Sequence, residues 1–378
     1  VVVDEFKQNV NLLTLYGITT AHSPLPAYHL FMKPQWETSP MMRAMRCEET
    51  DRVPVWLMRQ AGRYMPEYRA VREKMSFLEL CKNPSVAAEV MLHAVDVLGV
   101  DAAIIFSDLL LILEPMGLDL KFLPEGGPVL KNPIRSGDDV KRFHELNDLA
   151  PLQYVFDVVS KTREGLSESL PLIGFAGAPF TLAGYAIEGG SSKDFHRTKT
   201  FMATDTAAWH QLMVKIAHST AKYLNAQIDA GAQIVQIFDS WVGCLSEDDY
   251  RTYVLRHTQT LIDLIRPGTP VIHFGTGNPA LIPLMREAGG HVIGVDWRIS
   301  IDRAWDIIGH DCGIQGNLDP AVLLTNPDLI YRQVRRILDL TDRRPGHIFN
   351  LGHGILPQTP VENAVALVQA VHELGRKY

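Results

Sequence analysis

Arg59, Arg63, Arg69 and Arg72 follow one short apolar run, Val55 to Met58, with only Glu67 and Glu73 among them. A guanidinium is planar, keeps its charge and grips a carboxylate or phosphate through two parallel bonds. In a chain of net charge −7, this local excess of cations reads as a site for a polyanion. The same spacing also fits a solvated helical face laced with i,i+4 ion pairs. Other groups able to bind or move a proton stand where later apolar runs end. They are Ser107-Asp108, Thr181 and Tyr185, Asp239-Ser240, His273, Asp296-Trp297-Arg298, Asn317, and Asn350 with His353. Asp108 is either an acceptor for N–H donors and developing positive charge, or the cap of a helix starting near Leu109. Tyr185 offers a hydroxyl or packs its ring, and Ser240 is a binding hydroxyl or a loop hydroxyl bonded to backbone. His353 lies in Leu-Gly-His-Gly, where glycines allow unusual backbone angles and close ligand approach. His273 ends a run and reads as a core histidine.

Nucleotide, metal and nucleic-acid chemistry find little support. No G-x-G-x-x-G follows an apolar run, and the loop Glu188-Gly-Gly-Ser-Ser-Lys193 lacks phosphate-loop spacing. That loop reads as a flexible lid, or as a helix start capped by Ser191 or Ser192. There is no H-E-x-x-H, and no His-x-Cys follows a middle apolar run, so neither metal nor cofactor is expected. No basic stripe marks a nucleic-acid partner. With 46% hydrophobic and 21% charged residues the composition is that of a soluble globular protein. No apolar run approaches the ~18–20 residues that span a bilayer. Cys47, Cys81, Cys244 and Cys312 are scattered, which suits reduced thiols in the cytoplasm.

The elements that must position these groups alternate along the chain. Candidate strands occupy 54–58, 102–106, 172–176, 234–238, 271–274, 292–296, 313–317 and 347–351. Helical patterns fill 85–98, 208–230, 247–265, 278–288, 301–308, 327–338 and 361–375. Gly99, Gly231, Gly289 and Gly309 sit where left-handed caps belong. Non-alternating apolar strands suit a parallel sheet covered on both faces. The expected fold is a single (β/α)8 TIM-like barrel over residues 41–378, preceded by an extension of poorly defined structure at 1–40. A doubly wound open sheet is the alternative. Residues 117–134 read as a hairpin around Pro124-Glu125-Gly126-Gly127, and 177–195 as a long Gly-rich loop.

Six segments, in order, resemble the uroporphyrinogen decarboxylase family: PVWLMRQAGRYMPEYR at 54–69, FSDLL at 106–110, GFAGAPFTLAGYAIEGG at 174–190, FDSWVG at 238–243, QGNLDP at 315–320 and NLGHGILP at 350–357. The resemblance runs from about residue 43 to the C-terminus. It implies a TIM-like barrel, a homodimer with facing clefts, and a cytoplasmic enzyme, with a processed plastid form as the alternative. The implied reaction is cofactor-independent conversion of uroporphyrinogen III to coproporphyrinogen III by loss of four CO2. By the same resemblance Arg59 and Arg63 bind substrate carboxylates, Arg59 doubling as proton donor. Asp108 accepts the pyrrole N–H groups, and Tyr185, Ser240 and His353 line the cleft. The same barrel superfamily also holds zinc-dependent methyltransferases with a His-x-Cys ligand pair. Here that position reads His273-Phe-Gly275. A tetrapyrrole-binding protein without catalysis is a third reading.

Overall fold

The computed structural model describes residues 34–123 and 127–376. Most of the expected N-terminal extension therefore lies outside the described residues. At its described end Gln35–Thr38 makes a 3-10 turn, and the helix Pro40–Met45 sends Met41, Met42, Ala44 and Met45 into the core.

Seven parallel strands form the central sheet: β1 (Ala103–Ile104), β4 (Leu172–Gly177), β5 (Ile234–Asp239), β6 (Val271–Gly275), β7 (Val292–Gly294), β8 (Gly313–Leu318) and β9 (His347–Leu351). They lie side by side in chain order, β1-β4-β5-β6-β7-β8-β9. A doubly wound sheet would reverse its order part-way, so the alternative fold falls. β4, β8 and β9 are buried at every position, as parallel strands coated by helices must be. The helices start where small polar residues accept a free amide. Asn83 caps Pro84–Leu98, Asp205 caps Thr206–Asp229 and Asn326 caps Pro327–Leu340.

The first expected strand, 54–58, is reduced to one parallel bridge between Val55 and Phe349 of β9. Pro54 has no amide to give, and its carbonyl accepts the Phe349 N–H at 2.8 Å. On the other side Val55 O accepts the amide of Asp101, just ahead of β1, at 2.8 Å. The two edges of the sheet thus meet through Val55, and the curled sheet has the TIM-like form. Polar side chains cross its interior: Trp56 Nε1 donates to Gln315 Oε1 at 2.9 Å, and Gln315 Nε2 to Gln236 Oε1 at 3.1 Å.

Other differences from the sequence reading are local. The hairpin exists as β2 (Leu120–Leu123) paired antiparallel with β3 (Gly127–Leu130), its turn lying outside the described residues. The supposed Gly-rich loop at 177–195 is mostly a helix, Pro179–Glu188, with Pro179 at its first position and left-handed Gly189 ending it. The expected helix at 247–265 breaks at Val254 into Glu247–Tyr253 and Leu255–Asp263. Gly99 takes the expected left-handed cap, whereas Gly309 has φ 82° with an extended ψ of 150°.

Candidate active site

Arg59 stands on a pinned turn. Met58 N donates to Asn350 Oδ1 at 3.1 Å, Ile355 N to Met58 O at 3.0 Å, and Gln60 N to Leu57 O at 2.9 Å. The first two bonds tie the segment to β9 and the chain after it, the third closes the turn, and Arg59 sits there at φ 64°. A side-chain-bearing residue in that region costs roughly 1–2 kcal/mol, and such strain gathers at functional positions. The stem of Arg59 lies against Gly354: a Cβ there would meet Arg59 Cγ at 2.8 Å and Nε at 2.9 Å. Gly352 is pressed in the same way by Trp297, whose amide nitrogen would lie 2.7 Å from an added Cβ. Neither glycine has positive φ. Their role is room for the protein's own neighbours, not the unusual backbone angles that the sequence suggested.

Asp108 follows β1, and its Oδ1 accepts the Leu110 amide at 2.9 Å. That bond closes a turn just ahead of the 3-10 segment Leu111–Leu113 and occupies one of the carboxylate's two oxygens. Burial pushes its carboxyl up to about 6, opposed by the Leu110 bond and by the Arg59 charge. Tyr185, on the Pro179–Glu188 helix, is half-buried, and burial followed by the Asp108 charge raises its hydroxyl to about 12. It stays neutral and able to donate. Burial lowers the His353 imidazole to about 4, helped by Arg59 and Arg298 and opposed by Asp296. Arg59 thus acts on Asp108, Tyr185 and His353 together, and the four form one electrostatic neighbourhood at the C-terminal ends of the strands.

The remaining expected residues sit around this group. Arg63 is exposed on the same turn. Arg69 is not a merely solvated cation, since its guanidinium donates to Arg63 O and Tyr64 O at 3.0 and 2.9 Å. Arg72 stacks on Phe77 and bonds Met75 O. Ser240 follows Asp239, and the next residue, Trp241, meets the Tyr185 ring edge-on at 5.8 Å between centroids. His273 is fully buried, its Nδ1 3.3 Å from Met285 O and its Nε2 without a partner among the described residues. Asn317 and Asn350 are buried and serve the backbone, Asn317 donating to Asp296 O and Ile299 O. Among the described residues no group of three or more His, Cys, Asp or Glu is arranged to hold a metal.

Two strand-end features carry more weight than their pattern suggested. Asp239 is fully buried, accepts the Thr181 hydroxyl at 2.8 Å through Oδ1, and leaves Oδ2 without a partner among the described residues. Burial raises its carboxyl to about 7. Asp296, also buried, accepts Thr276 Oγ1 at 2.6 Å, Gly277 N at 2.7 Å and the Arg298 guanidinium at 2.5 Å. Pattern alone exposes the residue types, but not that one carboxylate is orphaned and the other neutralised.

The family model for uroporphyrinogen decarboxylase matches residues 37–374. The chain belongs to the uroporphyrinogen decarboxylase family. Relatives bearing that name are 53% identical over 335 residues in Carboxydothermus hydrogenoformans, covering 88% of this chain and 96% of the relative. In Geobacter metallireducens the figures are 52% over 328 residues, 86% and 96%. Among solved structures, a methyltransferase from Methanosarcina mazei superposes with a TM-score of 0.76 at 20% identity, covering 90% of this chain and 99% of that one. So distant a likeness speaks for the fold alone. Within the family, the neighbourhood of Arg59, Asp108, Tyr185 and His353 is this chain's candidate active site.

Proposed function

We propose that this chain removes CO2 from the four acetate side chains of uroporphyrinogen III, giving coproporphyrinogen III without a cofactor. The observation that carries the mechanism is the half-buried Asp108 carboxyl within reach of the Arg59 charge, with neutral Tyr185 and His353 in the same neighbourhood. Uroporphyrinogen carries eight carboxylates, so a guanidinium at the mouth of an acidic protein supplies local attraction. One close pair contributes on the order of 1–4 kcal/mol, from bulk-water to protein-surface dielectric.

Decarboxylation needs a place for the electron pair of the breaking bond. A proton added to a pyrrole carbon makes the ring a cation. The bond between CH2 and carboxylate then breaks, its electrons neutralise that cation, and CO2 departs. The exocyclic methylene takes a proton to become methyl as the ring carbon gives its own back. Each acetate thus consumes one proton and releases one CO2. Asp108 is placed to accept pyrrole N–H groups and to stabilise the cation, a preorganised charge in a poorly solvated site. Arg59 holds the reacting acetate. An arginine is a poor acid, so its donor role is the weaker of its two. Arg63, Ser240, Tyr185 and His353 contact the other acidic side chains.

Anaerobic incubation with enzymatically made uroporphyrinogen, followed by chromatography of the oxidised products, tests this reading. Porphyrins of seven down to four carboxyls are expected, and their absence would refute it. The family resemblance also supports a homodimer with facing clefts, which sedimentation velocity returning only a monomer would remove. Four unpaired cysteines fit a cytoplasmic protein, a placement that recovery from an oxidising compartment would contradict. No helix among the described residues is long and apolar enough to cross a membrane.

A further inference from the structure

His353 is flanked by two glycines, and each makes room for a segment that bears an arginine. Gly354 faces the stem of Arg59, and Gly352 faces the backbone and ring of Trp297, which precedes Arg298. The turn after β9 is therefore a saddle with one guanidinium-bearing segment on each side. Arg298 is built as firmly as Arg59. Its backbone amide donates to Asp296 Oδ1 at 2.9 Å, and its Nη1 donates to Asp296 Oδ2 at 2.5 Å and to Thr276 Oγ1 at 3.4 Å. The guanidinium lies 4.6 Å from the centre of the Trp297 ring.

All side-chain bonds of Arg298 to described residues use Nη1, so Nε and Nη2 have no partner among them. The Arg298 side chain is 45% exposed, while Asp296 beneath it is 4% exposed. Unlike the exposed one-nitrogen pairs Arg251–Glu287 and Arg266–Asp229, this cation is anchored on a buried carboxylate and rests beside the exposed ring of Trp297. Asp296 also shares its charge with Thr276 and Gly277, so it does not fully occupy the cation. Arg298 lowers the basicity of His353 while its partner Asp296 raises it, so the pair lies close to that imidazole, at the same mouth as Arg59.

We infer that Arg298, stacked on Trp297 and anchored by Asp296, is a second carboxylate-binding position for the substrate, across His353 from Arg59. The inference rests on the proposed reading of the substrate as a macrocycle bearing carboxylates around its rim. Such a molecule presents acids on several sides at once, and a single arginine turn reaches only one of them. Arg298 holds an acid of a ring other than the one reacting over Asp108. The planar fork suits that acid, and the Trp297 ring gives a flat apolar wall against which a pyrrole edge can rest. Arg298 touches no reacting bond, so its effect falls on binding.

The test compares wild type with Arg298→Gln and Arg298→Lys. Steady-state decarboxylation of uroporphyrinogen and binding of oxidised uroporphyrin, followed by quenching of tryptophan emission, are measured at low and high salt. Loss of one bidentate charge contact is expected to raise KM and the porphyrin Kd about tenfold in Arg298→Gln, with kcat within about twofold and a weaker salt dependence. Arg298→Lys keeps the ion pair with Asp296 but loses the fork, so it should fall between the two. If Arg298→Gln melts early, the Lys variant decides: it folds with its ion pair intact and must still show a raised Kd. Unchanged KM and Kd, or a loss confined to kcat, would overturn the inference while leaving the decarboxylase reading standing. A wild-type protein that binds uroporphyrin with the expected Arg298 dependence yet releases no CO2 would instead refute that reading.

Discussion

Replacing Asp108 by Asn should move activity and stability in opposite directions. The swap is nearly isosteric, and the Asn oxygen inherits the 2.9 Å bond from Leu110 N, so the turn survives. What disappears is the charge. Burial raises the Asp108 carboxyl from 3.8 to about 6, so the folded protein resists its ionisation. A rise of that size corresponds to roughly 3 kcal/mol at 1.36 kcal/mol per unit. Asp108 keeps partial access to solvent, and screening reduces the figure to about 1–2 kcal/mol. Because the folded pKa lies above the unfolded one, the native state binds the additional proton. Wild type therefore loses stability as pH rises through the window from about 4 to about 6. The Asn variant has no such loss. The two proteins should be about equally stable near pH 4, with the variant ahead by about 1–2 kcal/mol near pH 8. Urea unfolding at both pH values measures the gap. Turnover goes the other way, since removing one preorganised charge lowers kcat by about 10²–10³. A stability gap that does not change with pH, or a variant keeping more than roughly a tenth of wild-type kcat, would refute the reasoning.

In Gly354→Ala the new methyl would overlap the Arg59 stem. KM should rise and kcat fall together, by about tenfold or more each, and normal kinetics would show that Arg59 is not held there. Arg63→Ala should raise KM by about tenfold at an unchanged kcat, and steady-state kinetics showing a defect at saturating substrate would contradict its binding role. Asp239→Asn keeps the acceptor for Thr181 but removes a carboxyl that burial raises to about 7. Thermal unfolding should show wild type, but not the variant, losing stability as pH rises from about 4 through 7. Parallel curves would mean that Asp239 is ionised at no cost.

Much of the fold was legible because parallel strands buried on both faces are short apolar runs, and the runs from 172 to 351 became strands within a residue or two. The run at 54–58 misled because Pro54 and the turn at Arg59 leave room for only one bridge, which composition does not reveal. The stretch at 177–195 misled because its glycines hid a helix. Gly184 is there for the Phe195 ring, which would lie 3.2 Å from an added Cβ, and this contact is set by tertiary packing. At the site, Arg59, Asp108, Tyr185 and His353 could be named from residue type and position after a strand. Asp239 and Arg298 were visible as strand-end residues. Only the fold reveals that, among the described residues, one has an orphaned oxygen and the other two nitrogens without a partner, because partners supplied by other strands leave no trace in local sequence.

The bond from Met58 N to Asn350 Oδ1 joins residues 292 positions apart in sequence. The bond from Trp56 to Gln315 spans 259. Contacts of such separation form late, because a long loop must close before they contribute. During synthesis, Arg59 leaves the ribosome hundreds of residues before the asparagine and glycine that fix its pose. A nascent chain can fold the units from β4 onward while this arginine swings untethered. The pose of Arg59 is complete only once the carboxy-terminal strand lies beside Val55 and closes the ring.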